Sequence, residues 1–181
     1  MFPAPPGAIH HRAGFTLLEL MVVLGIIAIL AGLALGAGRR TVESGKVARA
    51  KGEIAVLAAA LEAYQRGYGD YPQTDDGARL LQSLLGRRSP LNHAIGGRSC
   101  IESTKFTTAG GLDPLTNFSA VLIDPWSQPY FYAYKSQTPW TNPGFVLYSN
   151  GPDGGNSPTL LTGGFVDLTS LANVDNIYAN R

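Results

Sequence analysis

The chain has 181 residues, with 14 Lys and Arg against 13 Asp and Glu, a formal net charge of +1. That balance excludes a nucleic-acid binder working through a broad basic field, and a single cysteine, Cys100, excludes an internal disulfide or a cysteine-rich zinc site. Charged residues make up only 15%, well under the roughly 25% of ordinary soluble domains, so what matters is where charge is missing.

Residues 1–14 (MFPAPPGAIHHRAG) hold three prolines, two histidines and Arg12, and read as a short polar leader with no capacity to fold. Residues 15–38 (FTLLELMVVLGIIAILAGLALGAG) contain one ionisable side chain, Glu19, and the 19 residues from Leu20 to Gly38 contain none. Nineteen residues of helix rise about 28 Å, close to the hydrocarbon thickness of a bilayer, and a helix satisfies all its backbone polar groups internally, as lipid requires. The run predicts a membrane-inserted helix. A cleaved signal peptide would have a shorter apolar region followed by a small-x-small site.

Residues 39–68 keep the helical period but carry charge. Val47, Ala50, Ile54, Leu57, Leu61, Tyr64 and Tyr68 recur in alternating steps of three and four, which places them on one face. No proline falls between 15 and 71, so one continuous helix is expected, amphipathic in its second half and packed against a globular domain. Arg12 alone flanks the N-terminal side of the apolar run, whereas five Lys and Arg fall between Arg39 and Lys51. A bare positive-inside count therefore puts the C-terminal side in the cytoplasm.

Gly69-Asp70-Tyr71-Pro72 ends the helix, since proline disfavours the helical conformation before it. Asp75 and Asp76 precede a short helix over 78–85. Residues 86–120, rich in Gly, Ser, Thr and Asn, are expected as a long loop. A turn at 124–129 leads into an aromatic strand at 130–134, a second strand follows at 144–149, and Asn150–Asn156 forms a tight loop. Trp126, Trp140, Tyr130, Tyr132 and Tyr134 read as sheet-face packing. No G-x-S-x-G, Walker-type loop or paired-carboxylate cluster is present, and Gly96-Gly97-Arg98-Ser99 lacks the lysine of a phosphate loop. The chain is not expected to be an enzyme.

Gly14-Phe15-Thr16-Leu17-Leu18-Glu19 ahead of an apolar helix resembles the prepilin cleavage motif of type IV pilins and type II secretion pseudopilins. The resemblance implies cleavage by a prepilin peptidase between Gly14 and Phe15 and methylation of the new amine. It also implies a C-terminal domain in the periplasm, against the bare charge count. Glu19 would then meet the Phe15 amine of a neighbouring subunit. Loss of the leader leaves 13 basic against 13 acidic residues and His93 as the sole histidine, which disfavours Ser-His or Cys-His catalysis.

Toward the C-terminus, YPQTDDG at 71–77, DPWSQPYFY at 124–132 and YSNGPDG at 148–154 are similar to the major pseudopilin family of type II secretion, the G subunit. The departures are Ser127 where glycine is usual, an enlarged 86–120 segment and a longer tail. The resemblance implies a calcium ion at the last loop, held by Asp153, Asp175 and Asn176 with backbone carbonyls around Tyr148–Asn150. Asn176 stands where a second acid is often found.

The expected architecture is α+β and pilin-like: a leader at 1–14, a transmembrane and filament-core helix at 15–38, its amphipathic continuation at 39–68, and a periplasmic domain at 69–181 with a small antiparallel sheet and a loop-rich C-terminal region. The expected role is a structural subunit of the inner membrane that polymerises with itself into a pseudopilus. Its partners would be the prepilin peptidase, minor pseudopilins and an assembly platform, without nucleic acid. Two alternatives are a type IV pilus or DNA-uptake pilin, and a single-pass anchored binding or sensor domain.

Overall fold

The computed structural model describes residues 15–156 and 159–179, without the side chains of 33–40. Helix α1 runs over Leu17–Tyr68, 52 residues. It starts where Thr16 Oγ1 accepts the Glu19 N–H at 3.2 Å, the contact expected of a T-x-x-E start. It stops at Gly69, whose φ of 87° is the left-handed conformation that closes helices and whose N–H bonds Gln65 O at 2.7 Å.

The chain forms two compact units that divide between Val42 and Glu43, so α1 contributes to both. In the first, every side chain described from Phe15 to Gly32 is exposed. Among the described residues no helix is long and apolar enough to cross a membrane, but the apolar run of the sequence extends over 33–38, whose side chains are outside that description.

In the second unit the predicted stripe is the spine of the core. Ala50, Ile54, Leu57, Leu61 and Tyr64 are buried, with Val47 and Tyr68 partly so. They share one cluster with Leu80, Leu81 and Leu84 of helix α2 (Gly77–Leu84) and with Tyr132, Phe145, Leu147 and Ile177 of the sheet region. Each fully buried leucine contributes about 1.5–3 kcal/mol. Asp76 caps α2, its carboxylate accepting from Ala78 N at 2.8 Å and Arg79 N at 3.4 Å.

Two small antiparallel sheets cover this face. Strand β1 (Thr107–Thr108) pairs with β2 (Leu122–Ile123). Strands β3 (Phe131–Ala133), β4 (Val146–Ser149) and β5 (Ile177–Tyr178) lie in the order β3-β4-β5, with Tyr132 opposite Leu147 and Ser149 opposite Ile177. The 86–120 segment is therefore more than a loop, since β1 stands inside it. The Arg87 guanidinium pins that segment, donating to Pro114 O at 3.2 Å and Leu115 O at 2.9 Å while lying over the Phe118 ring.

Polar contacts fix the helix to the sheets at chosen points. Trp126 Nε1 donates to Glu43 at 2.7 Å, and the Tyr130 hydroxyl donates to Glu53, which also pairs with Arg49 at 2.7 Å. Burial and the bond to Glu53 push the Tyr130 hydroxyl pKa far up. Trp126 and Tyr130 thus combine packing with a bond to the helix, more than sheet-face packing alone.

Candidate functional site

Two places collect the residues singled out from sequence. At the N-terminal end, Gly14 lies outside the described residues. Phe15 is 80% exposed and precedes the helix, and Glu19 sits in its first turn. A carboxylate in the first turn is favoured by the partial positive charge of the unsatisfied N–H groups there. Thr16, not singled out from sequence, sets where this turn begins; the T-x-x-E spacing before an apolar run was the available signal. From Leu17 to Leu30 the large apolar side chains are exposed on every side of the helix. That surface has no polar face to turn to water.

The second place is where β4 ends and β5 begins. Asp124 is buried beneath it, accepting from the Ser149 hydroxyl at 2.5 Å and from the N–H groups of Trp126 and Gln128, both at 2.9 Å. This carboxylate ties the 124–129 turn to β4. Gly151 has a φ of 72°, and a Cβ there would come 2.4 Å from Asp175 O, so only glycine allows the two chain segments to approach. Asp153 N–H donates to Asp175 Oδ2 at 3.1 Å, and Asp153 Oδ1 accepts the Gly155 N–H at 2.6 Å. Asn156 Nδ2 donates to Asn150 Oδ1 at 2.9 Å, and Asn173 Nδ2 donates to Asp167 O at 2.7 Å. The structure thus joins Asp153 to Asp175, 22 positions apart, with Asn176 buried beside them. A cleft of about 580 Å³ is lined by Lys51, Pro152, Asp175, Asn176 and Tyr178. Among the described residues no group of three or more His, Cys, Asp and Glu is placed to hold a metal. An ion here would have to add amide and carbonyl oxygens to the Asp175 carboxylate.

The chain matches the model of the prokaryotic N-terminal methylation motif over residues 9–35. That motif ahead of a long helix, with small antiparallel sheets packed on the helix's second half, defines a pilin-like subunit. The type II secretion system core protein G of Pseudomonas aeruginosa is 34% identical over 146 residues, covering 80% of this chain and 87% of that protein. The proteins of the same name from Vibrio cholerae and Klebsiella pneumoniae are each 28% identical, covering 81% and 80% of this chain and 86% and 88% of theirs. No solved structure gave a significant match. The chain belongs to the family of the type II secretion system core protein G.

Proposed function

We propose that this chain is the structural subunit that polymerises into the pseudopilus of a type II secretion system. The observation that carries the reading is the helix from Leu17 to Leu30, apolar and exposed on all sides, directly behind Gly14-Phe15-Thr16-Leu17-Leu18-Glu19 in a chain of the core protein G family. A prepilin peptidase removes residues 1–14 and the Phe15 amine is methylated. The 15–38 run crosses the inner membrane once and later becomes the filament core, while residues from Glu43 on work in the periplasm. The subunit is a building block and not an enzyme; minor pseudopilins and an assembly platform are its partners, and the ATP is hydrolysed elsewhere.

Glu19 has a specific place in this scheme. A carboxylate among apolar side chains in lipid costs a few kcal/mol and needs a partner. The new Phe15 amine of a neighbouring copy supplies the opposite charge, and the pair fixes the axial offset between subunits. The intact mass of the protein from a membrane fraction tests processing. Residues 15–181, that is 181 − 14 = 167 residues, plus one methyl group are expected. A chain that retains Met1–Gly14 would point instead to a plain membrane-anchored domain.

A calcium ion between the last loop and the 173–177 segment is a further part of the reading. It is supported by Asp175 Oδ1, which is buried without a hydrogen-bond partner. The all-oxygen surroundings suit a hard cation. Asp175 and Asn176, with carbonyls of the 150–155 loop, would hold it, and it would supply the cross-link between two segments that have little core of their own.

A further inference from the structure

Among the described residues beyond α1, the exposed large apolar side chains fall in two segments. Leu91, Leu112, Leu115 and Phe118 stand in the 86–120 segment, and Leu161, Phe165, Leu168, Leu171 and Val174 stand in residues 159–176. Exposed apolar residues gathered in this way mark surfaces that a partner covers. The two segments also differ in charge. Residues 86–120 hold four Lys and Arg against two acids, whereas residues 136–180 hold no Lys, Arg or His and three acids, Asp153, Asp167 and Asp175. Arg87 and Arg88 bond neutral carbonyl and amide oxygens, so their charge is available to a partner. The segments are anchored at different levels of α1. Tyr64 Oη donates to Arg88 O at 2.6 Å, at the C-terminal end of the helix. Asp175 and its neighbours instead share a cleft with Val47 and Lys51. From Val47 to Tyr64 is 64 − 47 = 17 residues of helix, a rise of about 25 Å.

The acidic segment is also shaped to receive a side chain. The Thr141 and Asn142 N–H groups both donate to Gly163 O at 2.9 Å, and Asn142 Nδ2 donates to Gly164 O at 2.8 Å, which fixes the segment on the 137–144 loop. Phe165, Val166 and Leu168 then line an apolar groove of about 230 Å³ with Phe145, Leu147 and Tyr178. An apolar cavity of about 150 Å³ already holds benzene, so this groove has room for an aromatic or leucine side chain from outside. We infer that the 159–176 segment of one copy docks on the 86–120 segment of the next. Apolar side chains form the centre of the contact, with acids on one side and Arg87, Arg88 and Arg98 on the other. Because the two patches are different and stand at different levels of α1, the contact is head-to-tail and propagates along a filament. The inference rests on the pseudopilus reading above and adds a second contact between copies to the one made by the apolar helix.

Photo-crosslinking in filaments sheared from cells that overproduce the chain with its secretion machinery tests the contact. Leu171, 87% exposed, is replaced by p-benzoylphenylalanine, and the joined peptides are identified by mass spectrometry. The expected product runs at the mass of two subunits and joins the peptide of position 171 to one from residues 86–120. Arg98→Glu sets like charges against each other and should lower the yield of that product about fivefold. Should the variant at 171 form no filaments, the same probe at Leu161, 50% exposed, decides. A link within one copy, a link to another segment or another protein, or no product would overturn the inference while filaments persist. An unchanged yield in Arg98→Glu would overturn the charge pairing. Absence of filaments from the unsubstituted chain would instead overturn the pseudopilus reading.

Discussion

The two portions of α1 solve opposite problems. From Phe15 to Gly32 every described side chain is exposed and nearly all are apolar. From Glu43 to Tyr68 the helix carries charges on several sides, yet Ala50, Ile54, Leu57, Leu61 and Tyr64 are buried in the core of its own unit. The first portion has no buried side chain among the described residues 15–32. The second is stabilised by the core of its own domain. Hydrophobicity alone therefore says little about burial in this chain; periodicity decides which apolar residues have a partner within the fold.

Paired truncations separate the two portions most sharply. Leu57→Ala empties a fully buried site and should lower the unfolding free energy of the C-terminal unit by about 2–5 kcal/mol, read by denaturant titration of tryptophan fluorescence. Ile26→Ala, at a side chain 53% exposed, should leave that unfolding curve unchanged. An equal loss from both would mean that Ile26 belongs to the same cooperative unit as Leu57, against the division drawn here.

A smaller effect tests the point where α1 hands over to the domain. Burial raises the Asp70 carboxyl pKa, but bonds from Lys135, Tyr134, Gln73 and the Tyr71 N–H outweigh it, so the net shift is downward. A carboxyl whose folded pKa is depressed adds stability above its unfolded value, near 4, and that stability is lost as pH falls through the lower folded value. Acid melts between about pH 5 and pH 2 should show this loss in the wild type, and Asp70→Asn should flatten that limb. At neutral pH the exposed Lys135 pair contributes about 1 kcal/mol or less.

The smallest expected change is at Ser127, which holds a φ of 68° in the 124–129 turn. A non-glycine residue pays for that conformation, so Ser127→Gly should stabilise by roughly 0.5 kcal/mol once the added freedom of the unfolded chain is subtracted. Calorimetry of the two proteins side by side would measure it, and a loss of stability would mean that the Ser127 side chain contributes a contact of its own.

Much of this was legible in the sequence, for identifiable reasons. The 3-4 stripe from Val47 to Tyr68 gives α1 its core face, Asp76 marks the start of α2, and Tyr130–Tyr134 and Gly144–Ser149 contain β3 and β4. These elements are signalled by local patterns of several residues. Strands β1, β2 and β5 have two residues each, too short for any alternation, and they exist only because distant segments pair. The hold of Arg87 on the 86–120 segment was invisible for the same reason, since its partners lie 27 and 28 positions away. At the last loop, sequence pointed to the acids Asp153 and Asp175, and the bond from the Asp153 N–H to Asp175 across 22 positions shows only in the fold.

The central claim is that the exposed apolar portion of α1 assembles copies through Glu19. Electron microscopy of filaments from cells that overproduce the chain with its secretion machinery tests it most directly, comparing wild type with Glu19→Ala. Filaments from the wild type and none from Glu19→Ala, at equal amounts of membrane-inserted protein, is the predicted result. Filaments of normal length and number from Glu19→Ala would contradict it.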